Sequence, residues 1–261
     1  MAAGPTSLTP RLQSCVDRFA KALVVPAKLM SLHPRRRGNP GKAAALAPAI
    51  TLGVLSAFEG YVEDVLATAF YLQQQSFGQI AKKLSINNPD VEDMERLVLN
   101  NFPTVKRAVG VDVTVDVRKV LPHSNDAWVR LTLNWNELKQ EAGGWMQVRH
   151  CLTHGLVSGA SPEVWPAPLR ADKPHASTVL RHKRDGRHSL NLNGAISCAR
   201  IYITGGQHLG NLMAAELGQT LSWKNVPDFA QFTPQADETA APRSHRDGHT
   251  ETAGQVDDEQ E

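Results

Sequence analysis

Cysteine is scarce in this sequence. The 261 residues include only three cysteines, Cys15, Cys151 and Cys198, and no two of them form a CxxC pair. Scattered cysteines in odd number support neither a disulfide framework nor a thiolate zinc site. No apolar run approaches the roughly 20 residues of a membrane-spanning helix, and residues 1–10 lack the basic start and apolar stretch of a signal peptide. We therefore expect a cytoplasmic protein that does not bind a membrane.

Nucleotide-binding motifs and internal repeats are also lacking. The chain has no Walker loop and no glycine-rich dinucleotide fingerprint after a strand, which argues against the common ATP- and NAD-binding folds. Its 41% hydrophobic and 21% charged residues are ordinary for a globular protein with a substantial core.

Charge is distributed unevenly along the chain. Residues 236–261 contain eight acidic and two basic residues, a net −6, so the rest of a chain with net charge +2 carries +8. Two basic runs, 35–37 and 181–184, concentrate this excess, which attracts polyanions. The alternatives are that such runs are simply solvated and that the acidic tail only aids solubility.

Apolar spacing predicts a mainly α-helical fold. The predicted helices are 10–29, at least 49–74 within a pattern of 42–75, 91–101 with Asp90 as N-cap, 135–154 ending at Gly155, and 194–217 with Asn193 as N-cap. Residues 156–175 contain four prolines and predict a loop. We divide the chain into an N-terminal helix and linker (1–41), a helical bundle (42–226) and a disordered acidic tail (227–261). Whether the first helix belongs to the bundle stays open.

Strands are few in this prediction. Residues 111–120 alternate weakly and favour an extended segment, and residues 179–183 and 188–192 flank Asp185-Gly186 as a small hairpin. The predicted fold class is therefore mainly α, an antiparallel helical bundle with a small β-hairpin insertion.

The residues best suited to chemistry lie at the end of the 135–154 helix, in Arg149-His150-Cys151-Leu152-Thr153-His154. A helix C-terminus favours cations, and the planar guanidinium of Arg149 suits phosphate. His154 can accept or donate a proton. Arginine with histidine is a sufficient minimum for cleaving RNA without a metal, because one group transfers protons while the other neutralises charge on phosphorus.

This segment resembles the Arg-polar-x-x-x-His motif of the HEPN superfamily. A second stretch, Ser56 to Asp64, resembles the acidic long-helix signature of the RiboL-PSP-HEPN or MAE-type subgroup, and it precedes the Arg–His helix as in that subgroup. His150 occupies the polar position, where asparagine or aspartate is more usual.

The resemblance implies a homodimer whose two motifs face each other across a shared cleft. It implies a metal-independent endoribonuclease that leaves a 2′,3′-cyclic phosphate and acts in stress response, phage defence or a toxin–antitoxin pair, with RNA and an antitoxin protein as partners and no cofactor. Arg149 and His154 would be catalytic, and His150 and either Glu59 or Glu63 would support them. The register of the long helix leaves open which glutamate pairs with Arg149.

Three alternatives remain open at this point. Arg149 can form a structural salt bridge with Glu59 or Glu63 while His154 caps its helix. The domain can be a non-catalytic module for dimerisation or for binding RNA or protein. His150 and His154, four residues apart on a helix, can hold zinc, although Cys151 stands where a HExxH motif has glutamate.

Overall fold

The computed structural model describes residues 11–33, 41–120, 128–155, 172–183 and 186–229. Three predicted features lie largely or wholly outside them: the disordered tail of 227–261, the loop of 156–175 and the basic run 35–37. The described residues are mainly helical, as predicted. Their α-helices are α1 (Leu12–Ala22), α2 (Val24–Leu32), α3 (Leu46–Leu72), α4 (Phe77–Lys83), α5 (Val91–Asn101), α6 (Trp135–Thr153) and α7 (Leu192–Glu216).

Helix α3 is the central element of the fold. It packs against α1, α2, α6 and α7, and its buried side chains form much of the hydrophobic core. Pro48 lies in the first turn, where a missing backbone N–H is tolerated, so the helix continues without a break to Leu72. The N-terminal helix shares this core, because the Phe19 ring stacks on Tyr61 at 4.7 Å and Arg18 binds Asp64 at 2.7 Å.

Two helix boundaries differ from the prediction. The single helix of 10–29 is two helices, since Pro26 has no N–H to donate to the carbonyl of Ala22, where α1 ends. Helix α7 is capped by Asn191 and not by Asn193, because the side chain of Asn191 accepts the backbone N–H of Gly194 at 3.2 Å.

Other boundaries are confirmed by their caps. Asp90 caps α5 as predicted, and Asp90 and Asp93 form a reciprocal capping box. Helix α6 begins with a second box between Asn134 and Glu137 and ends before Gly155, whose φ of +68° suits glycine.

The strands of the described residues form two antiparallel hairpins, one more than predicted. The first pairs β1 (Thr114–Val120) with β2 (Trp128–Asn134), Val117 lying opposite Leu131. The extended segment is therefore confirmed, and its partner strand is new. The second hairpin, β3 (Arg181–His182) with β4 (His188–Ser189), lies where it was predicted. Helix α7 covers the outer edge of β1, as Ser197 binds the backbone of Arg118.

Residues 43–72 are long and apolar enough to cross a membrane by length and composition alone, and an 18-residue window within them has a mean hydropathy of 1.5. The expectation that no segment spans a membrane stays a prediction, because length and composition alone do not show that a helix crosses a membrane. Core helices of soluble proteins pass the same test, and α3 packs against α1, α2, α4, α6 and α7. The feature is weak evidence for a membrane span.

His208 makes the stability of the fold depend on pH. The backbone N–H of Gly110 donates to His208 Nε2 at 2.9 Å, and burial lowers the pKa of His208, with Glu95 opposing the shift. A lowered pKa contributes stability that is present above the unfolded value of about 6.5 and lost as pH falls through the folded value. We expect the Tm to fall between pH 7.5 and 5, and to fall less in His208→Gln. Burial also lowers the pKa of His188. His188 is present in both the parent and the variant, so it does not affect the comparison. Equal falls in the two melting series would contradict this role.

Candidate functional site

Arg149 is held in a defined position near the end of α6. Its Nη2 donates to Glu59 Oε2 at 2.7 Å, and its Nη1 donates to Asn88 Oδ1. The Arg149 side chain is 16% exposed and that of Glu59 is 27% exposed. The ion pair therefore lies at the boundary between core and solvent, where Coulomb attraction is less screened than on an open surface.

The register of α3 selects Glu59 as the partner of Arg149. Four residues further along the helix, Glu63 is exposed, and no hydrogen bond or ion pair involves its side chain among the described residues. Asp64, the next carboxylate, binds Arg18 of α1. The alternative between Glu59 and Glu63 is thus decided by helix rotation, and the structure gives Glu63 no part in the site.

Asn88 is the site residue that the sequence did not predict. It precedes Pro89 and Asp90 between α4 and α5, and its φ of +52° is a left-handed conformation that asparagine tolerates better than most residues. In the sequence, Asn88-Pro89-Asp90 indicates only a stop before a capped helix. The position of Asn88 beside an arginine 61 residues away gives no local signal.

A buried ion pair anchors the loop that carries Asn88. Lys173 Nζ lies 3.0 Å from Asp90 Oδ2 and 3.1 Å from Glu92 Oε2, and the Asp90 side chain is 1% exposed. Burial raises the pKa of Asp90, with the backbone N–H of Asp93 and Lys173 opposing it. Burial alone would lower the pKa of Lys173, but the carboxylates outweigh it and raise that pKa.

His154 lies at the end of α6 and faces solvent. Its backbone N–H donates to the carbonyl of His150 at 3.1 Å, which makes it the C-cap, and its imidazole has no hydrogen bond among the described residues. Five residues separate it from Arg149, about 7.5 Å of helical rise and about 140° of rotation. The two side chains therefore leave different sides of the helix end. His150 lies between them and is half-buried.

The described residues offer little for a metal or for thiol chemistry. They contain no group of three histidine, cysteine or acidic side chains arranged to hold a metal ion, so His150 and His154 have no third ligand there. Cys15, Cys151 and Cys198 are free and buried. Burial raises the pKa of Cys151, which disfavours the nucleophilic thiolate. The chemistry available at this helix end is that of one guanidinium, two imidazoles and one carboxylate.

The stability of two matched glutamate variants tests the ion pair between Arg149 and Glu59. We expect Glu59→Gln to lower the free energy of unfolding by about 1–2 kcal/mol, because it leaves a partly buried guanidinium short of its charged partner. Glu63→Gln, on the same helix and exposed, should change it by less than about 0.5 kcal/mol. Urea unfolding of both variants, with Arg149→Gln and the Glu59/Arg149 double variant, isolates the coupling energy. Equal effects of the two glutamates would contradict the assignment.

Comparison of the chain with protein-family models, with curated proteins and with solved structures finds no match.

Proposed function

We propose that this protein is a metal-independent endoribonuclease of the HEPN type, with Arg149 and His154 as its catalytic residues. The observation that supports this most is the guanidinium of Arg149, which Glu59 and Asn88 orient from two other parts of the chain. Within the part of the chain that the structure describes, these two bonds use two of its five N–H groups, which leaves three to donate to a phosphate. The exposed imidazole of His154 lies at the same helix end.

The proposed reaction is an intramolecular transfer at phosphorus. The ribose 2′-hydroxyl loses its proton to a base and attacks the phosphorus, the bond to the 5′-oxygen breaks, and that oxygen gains a proton. The products are a 2′,3′-cyclic phosphate and a 5′-hydroxyl end. His154 transfers protons, and Arg149 neutralises the charge that develops on the phosphoryl oxygens. Glu59 and Asn88 are positioning residues, and His150 supports the site.

A homodimer is part of this proposal. Arg149 and His154 project from different sides of one helix end, so two helix ends that face each other supply a second imidazole to the same cleft. One imidazole then acts as base and the other as acid. No metal and no cofactor takes part. The biological setting that we propose is cytoplasmic stress response, phage defence or a toxin–antitoxin pair in which an antitoxin protein restrains cleavage.

A non-catalytic module for dimerisation or for binding RNA or protein is the second candidate. The observation that favours it is that Arg149 already has a charged partner and is only 16% exposed, as in a structural ion pair. His150, at a position where the family more often has asparagine or aspartate, also fits a lost activity.

Cleavage of a mixed pool of single-stranded and structured RNA, with EDTA present, separates the two candidates. The proposal expects products with cyclic phosphate ends from the parent protein, and their loss in both Arg149→Ala and His154→Ala. Circular dichroism and sedimentation establish that the variants fold and associate as the parent does. Cleavage that persists in both variants would contradict the site, and cleavage that requires a divalent metal would contradict the mechanism.

A further inference from the structure

The outer face of the first hairpin carries more positive charge than its own carboxylates neutralise. Arg118 on β1 lies directly opposite Arg130 on β2. Arg130 binds the carboxylate of Asp116, which also accepts a hydrogen bond from Thr132 Oγ1 at 2.7 Å. Arg200 of α7 approaches the same residue, its Nε donating to the Asp116 carbonyl at 2.7 Å. Among the described residues no carboxylate pairs with the Arg118 side chain.

The repulsion between these arginines lowers the stability of the free protein and favours binding of an anion. Like charges directly opposite each other destabilise an antiparallel strand pair. The Asp116 carboxylate pairs with Arg130, whereas Arg118 is half-exposed and has no counterion among the described residues. The pKa of Asp116 is held below its ordinary value, chiefly by the hydrogen bond from Arg130. Both carboxylate oxygens of Asp116 already accept a hydrogen bond, from Arg130 and from Thr132, so an external anion can bind Arg118.

The second hairpin lies against the first and carries further positive charge. Strand β3 packs beside β1. Residues 181–188 contain four arginine or lysine residues and one aspartate, a net +3 with histidine neutral. Lys183 has no ion pair among the described residues. The His182 and His188 rings lie 5.0 Å apart across the hairpin, but the surrounding positive charge opposes a divalent cation there and suits a polyanion.

We infer that the two hairpins together bind the phosphate backbone of single-stranded RNA through Arg118, Arg130 and Lys183, which we call the basic surface. The inference rests on the proposed function, because only a ribose-dependent reaction selects RNA among polyanions. Phosphate contacts fix where a strand lies without reading its sequence. The basic surface thus positions the strand, while chemistry takes place at the end of α6.

Binding of a fluorescein-labelled single-stranded RNA tests the basic surface apart from catalysis. Fluorescence anisotropy is measured on the full chain carrying His154→Ala, with EDTA, between about 50 and 300 mM salt. Adding Arg118→Gln and Lys183→Gln should weaken binding about tenfold near 100 mM salt. The slope of log affinity against log salt should also fall in magnitude by about 1.4, since each neutralised phosphate of a single strand contributes about 0.7.

The matched control removes two positive charges elsewhere. Lys21→Gln with Lys28→Gln, both exposed on α1 and α2, should change affinity by less than about twofold. Arg118→Gln should not lower the Tm, because it relieves the repulsion with Arg130. Equal weakening by the two pairs would overturn the inference, as would binding to anionic lipid vesicles without binding to RNA.

The same variants distinguish this inference from the proposed function. RNA binding that depends on Arg118 and Lys183, in a protein whose parent cleaves no RNA, would support the basic surface and contradict the nuclease. Cleavage that requires His154 but proceeds unchanged in the Arg118/Lys183 variant, with unchanged affinity, would support the nuclease and overturn the basic surface.

Discussion

Replacing His154 by alanine is expected to reduce RNA cleavage by at least about 100-fold without lowering the Tm. Proton transfer by a positioned side chain contributes about 10²–10⁴-fold, and two such groups are lost in the proposed dimer. The imidazole of His154 is exposed and has no hydrogen bond among the described residues, so its removal costs the fold little. Single-turnover cleavage and thermal melting of the same preparation measure the two effects.

A second exposed histidine supplies the matched control for this prediction. His175, whose backbone carbonyl accepts the hydroxyl of Thr178 at 2.7 Å, has an exposed side chain, and His175→Ala leaves that carbonyl in place. We expect this variant to cleave within about twofold of the parent. Parallel loss of activity in both histidine variants would indicate a general effect, and the role of His154 would then be wrong.

Arg149→Ala differs from His154→Ala in one informative way. Arg149→Ala should abolish cleavage as well, but it also removes the partner of Glu59 and of Asn88. We therefore expect it to lower the free energy of unfolding, as Glu59→Gln does. The comparison distinguishes His154, which acts only in catalysis, from Arg149, which acts in catalysis and also stabilises the fold.

Lys173→Met is expected to lower the free energy of unfolding by about 3 kcal/mol, the largest stability effect we predict for a single substitution. Lys173 is 10% exposed and Asp90 is 1% exposed. Removing one partner of a buried ion pair leaves an uncompensated charge, which typically costs about 3–5 kcal/mol. Methionine keeps most of the volume, so the loss measured by urea unfolding at pH 7.5 reports the charge and little of the packing.

The loss of unfolding free energy in Lys173→Met should decrease as pH falls. Burial raises the pKa of Asp90, and Lys173 is one of the groups that oppose the shift, so its removal raises the folded pKa further above the unfolded value. A raised carboxyl pKa makes the folded state bind its proton more tightly, so the cost is largest at neutral pH and shrinks as pH falls. We expect a smaller loss at pH 5 than at pH 7.5.

A double variant checks the same interpretation by a second route. Asp90→Asn retains a side-chain oxygen that can accept the Asp93 backbone N–H, which Asp90 accepts at 2.9 Å, while it removes the charge. Asp90→Asn with Lys173→Met should therefore be more stable than Lys173→Met alone. A double variant that is less stable than Lys173→Met would show that the loss comes from packing. The buried charge would then not be its cause.

Sequence alone determined much of the helical framework, because the relevant signals are local. Asp90 and Asp93 cap α5 within three residues of each other, Gly155 ends α6 through its own φ, and the apolar spacing of α3 is set by a period of 3.6 residues. The same local chemistry predicts the hairpin of β3 and β4, which the structure confirms. One local feature is predicted wrongly, because Pro26 divides the first helix. The alternating residues 128–134, which form β2, carry no prediction.

Only the tertiary structure decided which of these residues meet. Glu59 and Glu63 are equivalent in the sequence, and their roles differ because the rotation of α3 against α6 brings one to Arg149 and leaves the other in solvent. Asn88 and Lys173 reach their partners across 61 and 83 residues. Such contacts depend on how whole helices pack. Packing free energy is summed over many side chains, so no short stretch of sequence contains it.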